Sequence, residues 1–188
     1  MRPTLVTPRI RLTPLRPEHL SLLVELDADP EVMRFILGRA RTAEQAREHW
    51  APVCADTAAD RLGLGFWSGF ADDVFLGWWD ASPRFADEGA ATTADVGWRL
   101  RREHWRRGLA TEGARAVLRH CFGTLGLERV TAETMAVNLG SRGVMRKLGM
   151  RHVRTEVREW DDPLPGADQG EVTYALTRAE WLRGRAGR

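Results

Sequence analysis

Apolar and polar positions alternate with a period of two at the start of the chain. Arg9–Leu15 sets Ile10 and Leu12 against Arg9, Arg11 and Thr13, which predicts a first strand. Pro17 then opens a helix, where its missing N–H costs nothing, and Leu20, Leu23, Val24 and Asp27 follow at helical spacing. Asp29-Pro30 ends that helix and starts a short turn. Thr42-Ala-Glu-Gln45 has the form of a capping box, so a second helix is expected from Ala43 to about Ala55. Leu64–Phe70 and Val74–Asp80 read as strands joined in a hairpin at Asp72-Asp73. A loop of small and acidic residues, Ala81–Thr93, leads to a strand at Asp95–Leu100 with Val96, Trp98 and Leu100 on one face.

The pattern changes to 3.6 after a basic stretch, Arg101–Gly108. Ala110, Ala114, Val117, Leu118 and Cys121 mark a helix that Gly123 or Gly126 ends. Arg129–Val137 is a strand, and Leu139–Leu148 a helix with Gly149 at its C-terminal end. His152–Trp160 and Glu171–Leu176 read as antiparallel strands joined by the Pro/Gly-rich loop Asp161–Gly170. Thr177-Arg-Ala-Glu180 is a second capping box opening a short closing helix, and Arg183–Arg188 is expected to fray. This order predicts an α/β or α+β plan with a mixed sheet. No repeat or low-complexity segment divides it, so residues 1–188 are read as one domain.

Composition narrows the function. The 28 basic and 26 acidic residues nearly cancel, and 43% of the chain is hydrophobic, which excludes a disordered or strongly polyanion-binding protein. Lys147 is the one lysine, so the basic side is almost entirely arginine. The longest charge-free stretch, Leu62–Ala71, is about half a membrane span. Cys54 and Cys121 have neither metal-ligand spacing nor a disulfide framework. No nucleic acid, membrane or metal is expected, and the location is expected to be cytoplasmic.

Two segments carry candidate chemistry. In Trp105-Arg-Arg-Gly-Leu-Ala-Thr-Glu112 a loop with Gly108 runs into a helix start. Free N–H groups and about half a positive charge at such a start can hold a diphosphate, with Arg106 and Arg107 adding charge. The same turn also serves as ordinary architecture. The second segment is Val137–Met150, where Asn138 and Ser141 lie on one side of a helix start. Asn138 either caps that helix or is free for a ligand.

In this order and about thirty residues apart, the two segments resemble the GNAT superfamily of acetyl-CoA-dependent N-acetyltransferases. The likeness is closest to its branch of ribosomal-protein N-terminal acetyltransferases and related small-molecule enzymes. It rests on Val96-Gly-Trp-Arg-Leu100, on Trp105–Glu112 and on Asn138–Met150. The resemblance implies a mixed, mostly antiparallel splayed sheet of six or seven strands flanked by about four helices. It further implies acetyl-CoA as cosubstrate and an amine acceptor, with a homodimer plausible. The backbone of Trp98, Arg99 and Leu100 would pair with the pantetheine arm. Backbone amides from Arg106 through Arg107, Gly108, Leu109 and Ala110 to Thr111 would hold the diphosphate. Asn138 would bond the pantetheine, and Ser141 would sit near the thioester sulfur. Two departures stand out: Arg106 replaces a usual glycine, and Met145 occupies a position where a tyrosine is common as general acid. Ser141 is the better candidate acid.

Attack on a thioester needs a neutral amine. Deprotonating an α-amine at pH 7 costs roughly 1 kcal/mol, and a lysine-like amine roughly 4.6 kcal/mol, so a base matters more for the second. The candidate bases are Asp95 and Glu133, each on a strand expected to border the cleft, with Glu133 set in an apolar stretch. Trp67, Trp78, Trp79 and Trp98 are core or acceptor-pocket walls, and Asp87-Glu88 could attract an amine. Two other readings remain open: a non-catalytic coenzyme A binder, and nucleic-acid association through Arg101–Arg107.

Overall fold

Both capping boxes form and set helix starts. Thr42 Oγ1 accepts from Gln45 N at 3.2 Å while Gln45 Oε1 accepts from Thr42 N at 3.1 Å. Thr177 and Glu180 exchange the equivalent pair at 3.3 and 3.0 Å. The computed structural model describes residues 2–84 and 92–186. Its elements are β1 (Leu5–Val6), β2 (Arg11–Pro14), α1 (Leu20–Asp27), α2 (Pro30–Met33), α3 (Ala43–Ala55), α4 (Ala58–Leu62), β3 (Gly65–Ala71), β4 (Val74–Arg84), β5 (Thr93–Leu100), α5 (Leu109–Arg119), β6 (Arg129–Met135), α6 (Leu139–Lys147), β7 (Arg151–Glu156), β8 (Glu171–Thr177) and α7 (Arg178–Ala186).

Among the described residues the sheet has eight strands in the order β1-β2-β3-β4-β5-β6-β8-β7, against the six or seven expected. Neighbours are antiparallel except β5 and β6. The additional strand is β1, whose two residues are too few to show a period. Helices among the described residues number seven rather than about four; α2 and α4 are single turns with no apolar rhythm. α7 runs to Ala186, into the segment expected to fray. The loop Ala81–Thr93 is shorter than expected, since β4 runs on to Arg84 and pairs with Thr93. Asp87 and Glu88 lie outside the described residues. The hairpin turns at Asp72 and Asp73 with φ of 46° and 64°, the left-handed pair that a two-residue turn demands.

Two cores sandwich the sheet. On one face α5 lays Ala114, Val117 and Leu118 over Trp79, Ala94, Val96 and Leu100. Gly113 makes this approach possible, since a Cβ there would fall 2.5 Å from the Trp79 ring. The Trp79 indole N–H donates to Ala110 O at 3.0 Å, which fixes the height of the helix start on the sheet. Met145 and Leu148 of α6 join the same core. On the other face Leu23, Leu26 and Trp50 of α1 and α3 pack on Phe75 and Trp78. That core closes over one carboxylate: Asp27 is fully buried and accepts from Arg99 Nη1 at 2.6 Å, Trp50 Nε1 at 2.8 Å and Arg41. Trp67 and Trp79 are therefore core residues, whereas Trp98 is half-buried beside the first core.

Candidate active site

β5 and β6 begin side by side and part. Their parallel pairing runs only from Thr93 to Asp95 against Arg129 to Thr131. From Val96 to Leu100 β5 keeps β4 on one side and, among the described residues, has no strand on the other. That edge is about 17 Å long at 3.3 Å per residue, and its amides face a gap. One carbonyl on it is already taken: the Trp105 indole donates to Leu100 O at 2.8 Å. An extended chain carrying amides fits such an edge as a substitute strand.

The gap leads to the start of α5. Gly108 sits at the N-cap with φ of 78° and supplies no side-chain cap, so the first N–H groups of the helix, through Thr111, remain available. The preceding turn is left-handed at Arg106 too, with φ of 60°, where glycine would carry less strain. The side chains of Arg106 and Arg107 are exposed. An arginine strap from the start of the chain braces this turn. Arg9 donates through Nε to Glu112 Oε2 at 2.7 Å and through Nη1 to Arg107 O at 3.1 Å. Thr7 Oγ1 donates to the other Glu112 oxygen at 2.7 Å. Burial raises the Glu112 pKa, but the hydrogen bonds from Thr7 and Arg9 outweigh it and hold the carboxyl below its ordinary value. Beside the strap a cavity of about 320 Å³ is lined by Gly108, Thr111, Arg115, Arg119 and Lys147 among others. Basic groups around a helix start suit a phosphorylated ligand.

On the β6 side, Asn138 caps α6: its Oδ1 accepts from Ser141 N at 3.1 Å and its Nδ2 donates to Thr134 Oγ1 at 3.0 Å. Ser141 is partly exposed in the first turn. Met145 points away into the core, 1% exposed.

The carboxylates gather on the face opposite α5. Thr131 Oγ1 and Arg84 occupy the two oxygens of Asp95 in very close contacts. Glu133 is exposed, 3.7 Å from Arg158, within a charged group that includes Glu156 and Glu171. Burial, then the neighbouring Glu133, raises the Glu171 pKa. A third carboxylate, Asp80 on β4, lies opposite Gly97 and is 8% exposed. Ser82 Oγ donates to it at 2.8 Å, and no ion pair reaches it among the described residues. Burial pushes its pKa up to about 7, against the Ser82 hydrogen bond.

Residues 9–151 match the family model described as an acetyltransferase (GNAT) domain. The chain belongs to the GNAT family. It is 41% identical over 189 residues to FsC-acetyl coenzyme A-N(2)-transacetylase of Aspergillus fumigatus, covering 97% of this chain and 79% of that one. Among solved structures, one from T. thermophilus described as a putative acetyltransferase shares 25% identity with a TM-score of 0.76, covering 100% of this chain and 95% of that one. A second, the RimL ribosomal L7/L12 alpha-N-protein acetyltransferase in complex with coenzyme A, has a TM-score of 0.73 at 17% identity, over 92% and 96% of the chains.

In this N-acetyltransferase of the GNAT family the two motif segments follow the two strands that part, α5 after β5, and Asn138 and Ser141 after β6. Asp95 and Glu133 share one face, but guanidinium groups lie against both. Sequence reasoning passed over Asp80, because a carboxylate following Trp78-Trp79 in a strand reads as a strand end. Its register partner Gly97 was the available signal: a glycine facing an aspartate inside a strand pair marks a site with no room for a second side chain. No helix among the described residues is long and apolar enough to cross a membrane.

Proposed function

We propose that this GNAT protein transfers the acetyl group of acetyl-CoA to a primary amine by direct attack within a ternary complex. The observation that carries the reading is the edge of β5 that no strand covers among the described residues, followed by the start of α5 with no side-chain cap. In this reading the backbone of Trp98 and Arg99, with the amide of Leu100, pairs with the pantetheine arm. The amides of Arg106, Arg107, Gly108, Leu109, Ala110 and Thr111 take the diphosphate, with the two arginine side chains as counter-charge. Asn138 fixes the turn that presents Ser141 to the sulfur and contacts the pantetheine beside it. Ser141 protonates the departing thiolate, a modest task because coenzyme A thiolate is a good leaving group. Holding amine against thioester supplies a large part of the acceleration.

A covalent acyl-enzyme is not part of this scheme. Both thiols are buried, and burial raises the pKa of Cys54 to about 11 and of Cys121 to about 12, so neither is a ready nucleophile.

The acceptor is an amine on a small molecule or a protein N-terminus. FsC heads the panel to be tested because the relative sharing 41% of residues is named for N(2) transfer on it. The experiment mixes the protein with acetyl-CoA and FsC, N-terminal peptides, polyamines or aminoglycosides and follows thiol release. Turnover with at least one amine is expected; silence across the panel overturns the reading.

A further inference from the structure

Three carboxylates stand on the sheet face opposite α5 and α6, the face on which α1 and α3 pack over Phe75 and Trp78 farther along β4. They differ in what holds them. Asp95 has an oxygen on Arg84 and the other on Thr131. Glu133 is exposed and lies against Arg158. Asp80 faces the same side, as the register shows: Ser82 lies opposite Asp95, Asp80 opposite Gly97, and Trp78 opposite Arg99. The last β5–β6 pair is Asp95 with Thr131, so Asp80 lies one strand in from the first unpaired part of β5.

The space around Asp80 is kept for it. A Cβ on Gly97 would stand 2.4 Å from Asp80 Oδ1, so any larger residue at 97 would displace the carboxylate. Ser82 is its one side-chain hydrogen-bond partner among the described residues, a neutral hydroxyl that, like the backbone of Gly97, lowers the proton affinity that burial raises.

We propose that Asp80 is the base that receives the proton of the attacking amine, with Ser82 positioning its carboxylate. This rests on the acetyl-transfer reading above. The nitrogen lone pair forms the new C–N bond to the thioester carbonyl, and the N–H proton passes to the Asp80 carboxylate. The C–S bonding pair leaves with sulfur, which takes a proton from Ser141, itself reprotonated from solvent. Asp80 returns its proton to solvent, so the sum is amide and free thiol with nothing oxidised or reduced.

The charged and titratable groups bearing on Asp80 are few. Asp95 on β5 raises its proton affinity, and Arg99 on β5 lowers it. Arg99 is itself paired with Asp27 of α1, and the neutral thiol of Cys121 approaches from the α5 side of the sheet. The resulting pKa near 7 suits a base working at neutral pH.

The test uses the full chain, acetyl-CoA and the amine that wild type turns over fastest. Wild-type kcat is expected to rise with pH through a limb near 7. In Asp80→Asn the limb disappears and kcat at pH 7.5 falls at least about 100-fold, while coenzyme A affinity by calorimetry stays within about twofold. In Ser82→Ala the limb survives but moves up by as much as about one pH unit, a shift that a merely structural serine would not produce. Should Asp80→Asn fail to bind coenzyme A, the Ser82→Ala limb decides alone, and an unmoved limb overturns the proposal. An Asp80→Asn enzyme with wild-type rate and profile overturns Asp80 and leaves acetyl transfer standing. A wild type inert with every amine overturns the transfer reading, and the role of Asp80 with it.

Discussion

A carboxyl buried beside a glycine and a serine holds its proton nearly to neutral pH, and this has a cost in stability that can be measured separately from catalysis. Asp80 has a folded pKa of about 7 against 3.8 for an ordinary aspartate. The folded chain therefore binds more protons than the unfolded chain between those values. The contribution to stability is fully present below about pH 4 and is lost as pH rises through 7. Asp80→Asn removes that loss while keeping an acceptor for Ser82. Its Tm is expected to equal wild type near pH 4 and to exceed it by several degrees at pH 8, read by calorimetry. A variant less stable at pH 8 than at pH 4, relative to wild type, would mean that the charged carboxylate is satisfied in the fold. Little of this was legible in the residue string. Ser141 and Asn138 announce themselves by spacing, but Asp80 acquires its character from Gly97, on a different strand.

At the scale of elements, the sequence was most informative where local chemistry decides. Capping boxes located the starts of α3 and α7 to the residue, and alternation located β3, β5 and β8 within one or two positions. It was least informative for β1, α2 and α4, which are too short to carry a period and exist because neighbours hold them. The strap from Arg9 is another long-range feature, as it ties the segment before β2 to the start of α5. Arg9 orders the turn at Arg107 without belonging to either motif. Arg9→Ala is expected to weaken coenzyme A binding about 3- to 10-fold by calorimetry, through a looser turn, with the fold intact. Unchanged affinity would show that Gly108 and the helix start hold their shape unaided. The left-handed turn residues Arg106 and Gly108 explain why shape at this place needs support: each samples other conformations readily once released.

At the scale of the whole molecule, one buried charge cluster ties the helices of the second core to the sheet. Asp27 joins α1 to β5 through Arg99 and to α3 through Trp50. Both arginines that pair with it, Arg41 and Arg99, are 12% exposed in their side chains. Asp27→Ala strands two buried guanidinium groups, so a loss of about 3–5 kcal/mol is expected, seen as a fall in Tm of roughly 6–20 °C. The gap between β5 and β6 poses the opposite case, an edge with no strand beside it and a helix start with no side-chain cap among the described residues. Saturating coenzyme A at about 100 times its Kd stabilises the folded state by about 2.7 kcal/mol, which should raise Tm by about 5–10 °C. The two halves of the ligand separate the two parts of the site. On the proposed function, ADP is expected to engage only the start of α5, and phosphopantetheine chiefly the edge of β5. Each fragment should give a smaller shift than coenzyme A at equal concentration, because joining them makes the second contact intramolecular. If ADP alone reproduced the full shift, the β5 edge would contribute nothing, and the gap would have to be explained without a pantetheine arm.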